Sequence, residues 1–281
     1  MDRLSCLPTE LLRQVLTYPS VHDLSRIRLT SKRLALLADH PSHWRHIQLT
    51  APYNHCGSTS DLWKLDDLQL LLGPHRQLIE SIHIEGVRDN VVRYILSHCV
   101  NLTDLTLYGW VTLSDHAFKS ARLAPKLRRL ILKCTPDQIN YTALDATTLA
   151  SLLIQCPLRE VSLDCQVHIH AQTLLTELKK YTQHLDMSAS SNSLVIKSPG
   201  SLSTSSPDST VSTFSKNRLE SRRSPLQLQH LTMATRRTWS NEHVMALFDI
   251  CPSLHHVCLC PADGFDLTQT KDHGSTTTTQ A

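Results

Sequence analysis

The residues best suited to chemistry are two histidines and two cysteines near the end of this 281-residue chain. His255, His256, Cys258 and Cys260 all belong to residue types that bind metals, and tetrahedral zinc needs four well-placed donors, usually from spaced pairs on separate turns. Here the four share one predicted strand, whose alternation is expected to send them to opposite faces. We therefore predict no metal site and no cofactor.

Catalytic motifs that depend on glycine are absent from the sequence. No two of the seven glycines lie closer than 10 residues, which excludes a P-loop, a dinucleotide fingerprint and a Gly-x-Ser-x-Gly elbow in standard form. His83-Ile84-Glu85 imitates half of a deaminase signature, but no Pro-Cys-x-x-Cys follows it. Nothing selects a Cys–His catalytic pair. The sequence therefore predicts a protein that is not an enzyme.

Charge and cysteine content narrow the class of protein. A net charge of +3 is too weak to indicate nucleic-acid binding, and no apolar run reaches the roughly 18 residues of a membrane span. The N-terminus has no apolar segment long enough for a secretory signal. The 9 cysteines are an odd number without a Cys-x-x-Cys pair, which favours a reducing compartment. We expect a cytoplasmic or nuclear protein that binds neither membrane nor nucleic acid.

The elements that must carry any binding surface begin with three short predicted helices. Pro8 stands where proline opens a helix, and Pro19 ends it. Ser20, and then Thr30 or Ser31, are suited to cap the second and third helices. The first helix has an apolar stripe of Leu7, Leu11, Val15 and Tyr18, which Leu12 and Leu16 widen. Such wide stripes cannot all be hidden against one another, so the rest of the chain or a partner must cover them.

These residues resemble the F-box pattern in order and spacing across roughly residues 5–49. The matching series is Leu7-Pro8-Thr9-Glu10-Leu11-Leu12, Val15-Leu16, Asp23-Leu24, Leu29-Thr30-Ser31-Lys32-Arg33, Asp39 and Trp44. The resemblance implies a trihelical module that binds the Skp-type adaptor of cullin–RING ubiquitin ligases. It implies an adaptor-binding set of Leu7, Pro8, Leu11, Leu16, Leu24, Leu29, Ser31 and Trp44. Helical periodicity alone is equally compatible with core residues of an α-helical domain.

A second pattern, apolar-x-x-apolar-x-apolar, recurs through the rest of the chain. Its starts at Leu78, Leu102, Leu127 and Leu158 lie 24, 25 and 31 residues apart, and those at Leu228 and Leu254 lie 26 apart. This interval matches the leucine-rich repeat, in which a strand lines one face and a helix covers the other. Trp44, Ile47 and Leu49 fit the pattern too, so the first repeat is expected to follow the helices directly.

Short amphipathic helices are predicted between these strands, over residues 61–72, 90–98, 146–155 and 241–250. Cysteines stand at related positions beside the strands, which predicts that they are buried repeat-core residues: Cys99, Cys134, Cys156, Cys165 and Cys251. This arrangement resembles the cysteine-containing leucine-rich repeats often joined to F-boxes.

A polar segment interrupts the repeats. From Ser188 to Ser224, 17 of 37 residues are serine or threonine, a composition that cannot bury enough apolar surface to offset its ordering entropy. We predict an α/β chain in which a three-helix F-box is followed by an irregular leucine-rich-repeat solenoid. Its parts are the F-box (1–49), a repeat-like region (50–187), a disordered insert (188–226), C-terminal repeats (227–262) and a disordered tail (263–281).

The function implied by the resemblance is target selection in an SCF-type ubiquitin ligase. The adaptor would bind the F-box and connect it to a cullin, while an unidentified substrate protein would bind the exposed face of the sheet. The outward residues predicted for that face are His83, Thr103, Thr106, Arg129, Arg159 and Ser162. The alternative is a non-catalytic repeat scaffold that acts outside a ubiquitin ligase.

Overall fold

The computed structural model describes residues 7–50, 63–119, 124–135, 144–166, 169–191, 226–235 and 239–261. Within them, an N-terminal helical region is followed by an α/β region with a parallel sheet. Residues 192–225 of the predicted insert (188–226) and the whole of the predicted tail (263–281) lie outside the described residues. None of the helices in the described ranges is both long and apolar enough to cross a membrane.

Three seven-residue helices form the N-terminal part, which we call the helical module (residues 7–44). They are α1 (Thr9–Val15), α2 (Val21–Ile27) and α3 (Lys32–Ala38). The Ser20 and Ser31 hydroxyls accept the backbone N–H groups of Asp23 and Leu34 at 3.1 and 3.2 Å, and thereby cap α2 and α3. Arg33 joins α3 to the start of α1 by donating to the Leu7 carbonyl at 2.8 Å. The prediction of three short helices is therefore confirmed, with Ser31 as the cap of the third.

In the part of the chain that the structure describes, seven parallel strands follow, and they lie in the sheet in chain order. They are β1 (His46–Leu49), β2 (Ser81–Arg88), β3 (Asp104–Thr112), β4 (Arg129–Lys133), β5 (Glu160–Gln166), β6 (His230–Thr235) and β7 (His256–Pro261). The connecting helices are α4 (Leu65–Leu72), α5 (Asp89–His98), α6 (Ala146–Gln155), α7 (Ala171–Ser191) and α8 (Asn241–Ile250). Because parallel strands need crossover connections, this order repeats one strand-and-crossover unit along the chain.

The apolar positions of the predicted repeat are aligned across the sheet. Ile82, Leu105, Leu130, Val161 and Leu231 are successive partners in β2 to β6, and each is at most 1% exposed. Side chains alternate along a strand, so the residues between them point to the opposite side, which we call the open face. The sheet therefore has one buried side and one accessible side.

A backbone contact recurs at the entrance of the strands. The Thr103 carbonyl accepts the N–H groups of Arg128 and Arg129 at 2.8 and 3.0 Å. The carbonyls of Arg45, Glu80, Arg128, Arg159 and Gln229 each accept two consecutive N–H groups in the same way. This pairing satisfies backbone groups at every turn and sets the register in which the next strand begins.

Two crossovers differ from the sequence-based expectation. Helix α7 has 21 residues, was not predicted, and extends to Ser191, so it occupies the first four residues assigned to the insert. Between β3 and β4, where no helix was predicted, the described residues contain a 3₁₀ turn at Asp115–Ala117. The helix predicted over residues 61–72 is α4, and residues 61 and 62 lie outside the described part.

Gly109 in β3 is the glycine that the fold most clearly requires. Its φ is +64°, and a Cβ built there would lie 2.7 Å from Cγ2 of Thr135. We expect Gly109→Ala to lower the free energy of unfolding by about 2 kcal/mol or more, from left-handed backbone strain and overlap. Urea unfolding followed by circular dichroism measures this change.

The comparison variant is Gly73→Ala, because the φ of Gly73 is −50° and, its chain neighbours aside, no atom lies within 4 Å of a Cβ built there. Only the ring of the following Pro74 disfavours a Cβ in this helical conformation, so the substitution should lower the free energy of unfolding by less than about 1 kcal/mol. Equal effects of the two alanines would contradict the backbone requirement at Gly109.

Candidate docking surfaces

The helical module carries most of the exposed apolar side chains in the described part of the chain. Of eight large apolar residues that are exposed there, five belong to it: Leu11, Val15, Tyr18, Leu29 and Leu36. Tyr18, Leu29 and Leu36 are 83%, 84% and 79% exposed. Single exposed apolar residues are ordinary, but their concentration in one short module is typical of a protein-binding surface.

The predicted adaptor-binding set divides into accessible and buried residues. Pro8, Leu11 and Leu29 are exposed, and Leu7 is half-buried. The structure corrects the prediction for Leu16, Leu24 and Trp44, which are at most 2% exposed and belong to the core. The half-buried Ser31 uses its hydroxyl to cap α3. The adaptor-binding set predicted from the sequence includes both core and surface residues. Leucine occupies both kinds of position in these short helices, so residue type alone does not distinguish them.

Trp44 joins the helical module to the sheet region through His75. The two rings stack with centroids 3.6 Å apart and planes 19° from parallel, and the indole N–H donates to the Ala38 carbonyl at 2.8 Å. His75 Nε2 lies 3.4 Å from a carboxylate oxygen of Asp39, which also pairs with Arg28 at 3.0 Å. Burial lowers the pKa of His75 to about 4, against the opposing influence of the Asp39 carboxylate. At neutral pH, His75 is therefore an uncharged part of this junction.

The open face presents one row of side chains from all seven strands. His83, Thr106 and Ser162 are in this row, which runs from Gln48 in β1 to Cys258 in β7. The structure brings these three predicted residues together on one surface. It corrects Thr103 and Arg159, which precede β3 and β5 and take part in the recurring backbone contacts at the strand entrances. Each lies two residues before a buried side chain, Leu105 or Val161, so strand alternation does not place it in the outward row.

Some charged side chains of the open face lie close to oppositely charged groups, either on a neighbouring strand or on the same strand. Arg129 Nε lies 2.8 Å from a carboxylate oxygen of Glu160 in the neighbouring strand β5 and 3.7 Å from one of Asp104 in β3. His83 Nε2 lies 3.8 Å from a carboxylate oxygen of Glu85. The predicted target-binding residue Arg129 is thus held between two acids, which offers a partner a balanced rather than a strongly basic surface.

An open groove of about 460 Å³ separates the helical module from β1. Its lining includes Leu16, Val21 and Leu24 from the helices and His46 and Gln48 from the strand. His43 also lines it, and burial lowers the pKa of this histidine, with a smaller contribution from His40. Apolar and polar side chains both line the groove.

The cysteines divide into buried and accessible groups. Burial raises the pKa of the Cys99 and Cys251 thiols to about 12 and that of Cys156 to about 11. These three end helices α5, α8 and α6, where a small apolar side chain fits the core, as predicted. Cys134 is half-buried against the core, whereas the side chain of Cys165 lies outside the described residues.

The histidine–cysteine cluster is arranged differently from the prediction. His256, Cys258 and Cys260 alternate with the inward residues of β7 and share the open face, while His255 precedes the strand. The prediction that alternation divides the four residues between opposite faces is therefore wrong for His256, Cys258 and Cys260. Even so, in the described residues no group of three or more His, Cys, Asp or Glu side chains is positioned to hold a metal ion.

Sequence reasoning missed Leu36 and His75 as surface and junction residues. Leu36 is the same residue type as Leu34 and Leu37, which are buried on the other side of α3. Residue type therefore does not mark Leu36 as exposed. A helical-wheel count from the Ser31 cap could have found it. No local signal marks His75, because its partners Asp39 and Trp44 lie more than thirty residues away in the chain.

Comparison with known protein families matches residues 4–50 to the F-box-like family. A comparison with curated proteins finds no match. The chain thus contains an F-box-like domain that coincides with the helical module and β1, followed by an α/β region with a parallel sheet.

Proposed function

We propose that the protein is the substrate-recognition subunit of an SCF-type ubiquitin ligase, with the helical module binding a Skp-type adaptor. The observation that carries the proposal is the set of exposed apolar side chains within the F-box-like match. F-box domains bind Skp-type adaptors of cullin–RING ligases. The chain itself would be non-catalytic, because the adaptor and cullin recruit the ubiquitin-carrying enzyme and this subunit supplies proximity. We propose that it acts in the cytoplasm or nucleus.

The adaptor-binding surface that we propose is made of residues accessible in the isolated chain. It combines the accessible members of the predicted set with three further apolar side chains: Pro8, Leu11, Val15, Tyr18, Leu29 and Leu36. Aromatic and leucine side chains left in water gain about 1.5–3 kcal/mol each when a partner buries them completely. Removing two of the most exposed ones should therefore weaken binding without weakening the fold.

We further propose that the strand-and-crossover units are an irregular leucine-rich-repeat solenoid and that its open face binds the target protein. The support is the parallel sheet in chain order, the aligned buried leucines and the crossover on one side. His83, Thr106 and Ser162 occupy the middle row of that face, with Arg129 beside them. Paired charges and hydroxyls would favour a partner with polar, mixed-charge chemistry.

The test is a pull-down of purified full-length chain with recombinant Skp-type adaptor, followed by a titration. We expect the Tyr18→Ala/Leu29→Ala double variant to bind about 100-fold more weakly, as the loss of two interface anchors predicts. The matched control is Leu70→Ala, because Leu70 is 79% exposed but lies on α4, outside the F-box-like match. This control should bind like the wild type.

Equal binding by the double variant and the wild type would reject the proposed surface. Absence of adaptor binding by the folded wild type would reject the ligase assignment altogether. A complex that contains adaptor but no cullin, when both are supplied, would instead favour a repeat scaffold outside a ubiquitin ligase. Circular dichroism of each variant separates lost binding from lost folding.

A further inference from the structure

Two cysteines near the end of the described chain form a thiol pair on the open face. Cys258 and Cys260 are separated by one residue in β7, so the alternation of the strand points both side chains to the same side. Their sulfur atoms are 3.7 Å apart. Cys258 is half-buried and Cys260 is exposed, whereas the buried cysteines of the repeat core are closed to solvent. The pair is therefore accessible to a ligand.

The geometry favours a bridging metal over a disulfide. Residues i and i+2 of a strand have Cα atoms about 6.6 Å apart, at the upper end of the range that a disulfide spans. A bond between the sulfurs would require them to approach to about 2.05 Å, which the extended backbone opposes. Two sulfurs on either side of a metal at about 2.3 Å each would be about 4.6 Å apart. That distance is reached by small side-chain rotations from the observed separation.

The number of donors selects the class of metal. Zinc and other tetrahedral ions need four ligands, and in the described residues no third histidine, cysteine or acid joins the pair at bonding distance. Soft monovalent Cu(I) prefers thiolates. Ca²⁺ and Mg²⁺ need oxygen ligands, which the pair does not offer. A two-thiolate arrangement therefore fits a soft ion of low coordination number.

The surroundings also favour a cation. Ala234 in β6 is the strand partner of Cys260, and its small side chain leaves the neighbouring thiol uncovered. The negative charge of Asp164 in β5 acts on Cys260 and would attract a positive ion to the pair. A metal would displace the thiol protons on binding.

We propose that Cys258 and Cys260 bind one Cu(I) ion between their two sulfur atoms. This site is independent of adaptor binding, because the pair lies at the opposite end of the sheet from the helical module. Its occupancy would place a metal on the face that we assign to target recognition.

The test is an oxygen-free competition between the fully reduced full-length chain and the chromogenic Cu(I) chelator bicinchoninate. We expect either Cys258→Ser or Cys260→Ser to hold one Cu(I) fewer than the wild type. The control is Cys134→Ser, which alters a half-buried cysteine at the end of β4 and should leave the stoichiometry unchanged. Comparing the number of bound Cu(I) ions in each variant with that in the wild type subtracts any Cu(I) bound at other cysteines of the chain.

X-ray absorption of the wild type with one equivalent of Cu(I) provides a measurement that does not depend on the folding of a variant. Two sulfur neighbours and no nitrogen neighbour are expected. An unchanged stoichiometry in both serine variants would overturn the proposal, and so would a loss confined to one of them. Copper–nitrogen scattering would assign the ion to histidine instead and would likewise reject the two-thiolate site.

Discussion

Replacing Trp44 by alanine is expected to lower the free energy of unfolding by about 3–5 kcal/mol. Trp44 is completely buried, stacks on His75 and donates its indole N–H to the Ala38 carbonyl. The substitution removes all three contributions and leaves a cavity between the helical module and the sheet region. Chemical unfolding monitored by circular dichroism measures the loss without relying on tryptophan fluorescence.

Trp44→Phe separates packing from the hydrogen bond. Phenylalanine keeps most of the apolar area against His75 but leaves the Ala38 carbonyl without its donor, which should cost about 1–3 kcal/mol. A Trp44→Ala variant as stable as the wild type that fails to bind the adaptor would contradict the structure and restore the sequence-based view of Trp44 as a contact residue. We expect both variants to be less stable than the wild type, and Trp44→Ala to be less stable than Trp44→Phe.

The second large effect is a loss of stability in mild acid through His75. Burial lowers the pKa of this histidine from 6.5 to about 4, so between those values the unfolded chain binds a proton that the folded chain excludes. Stability is therefore greatest above pH 6.5 and falls as the pH decreases towards 4, by about 2–3 kcal/mol at pH 4.5 from this residue. Urea unfolding at pH 7 and pH 4.5 measures the difference.

His75→Phe is the matched variant, because phenylalanine can keep the stack on Trp44 and has no proton to bind. We expect its stability at pH 7 to lie within about 1 kcal/mol of the wild type. Its loss between pH 7 and pH 4.5 should be smaller than that of the wild type by the His75 contribution. The same acid sensitivity in both proteins would show that other groups are responsible.

The two effects have a common structural origin. Trp44 ends the helical module, whereas His75 follows α4 in the first crossover of the sheet region. With Asp39 and Arg28, they make the apolar and polar contacts of one junction. On the function that we propose, this junction would set the direction of a target on the open face relative to the adaptor.

The elements with strong local signals could be predicted from the sequence. Serine caps and proline breaks defined the three helices of the module, because the groups that start and stop a helix lie within a few residues of one another. The leucine spacing identified the aligned positions of β2 to β7, since alternation in a strand is a local property. The helices over 146–155 and 241–250 were predicted with the bounds that they have.

The binding surfaces were decided by tertiary packing. Leu16, Leu24 and Leu29 are identical in type, yet two are buried and one is almost fully exposed, because neighbouring helices cover some leucines of each stripe and not others. Thr103 and Arg159 lie in turns before their strands, where their carbonyls accept N–H groups from the next turn. The spacing of residues along the chain predicts which side chains share a face of a helix or strand. Which of these faces becomes buried depends on contacts between segments that are far apart in sequence. The junction of Trp44 with His75 is of this kind, and it became visible only once the chain was folded.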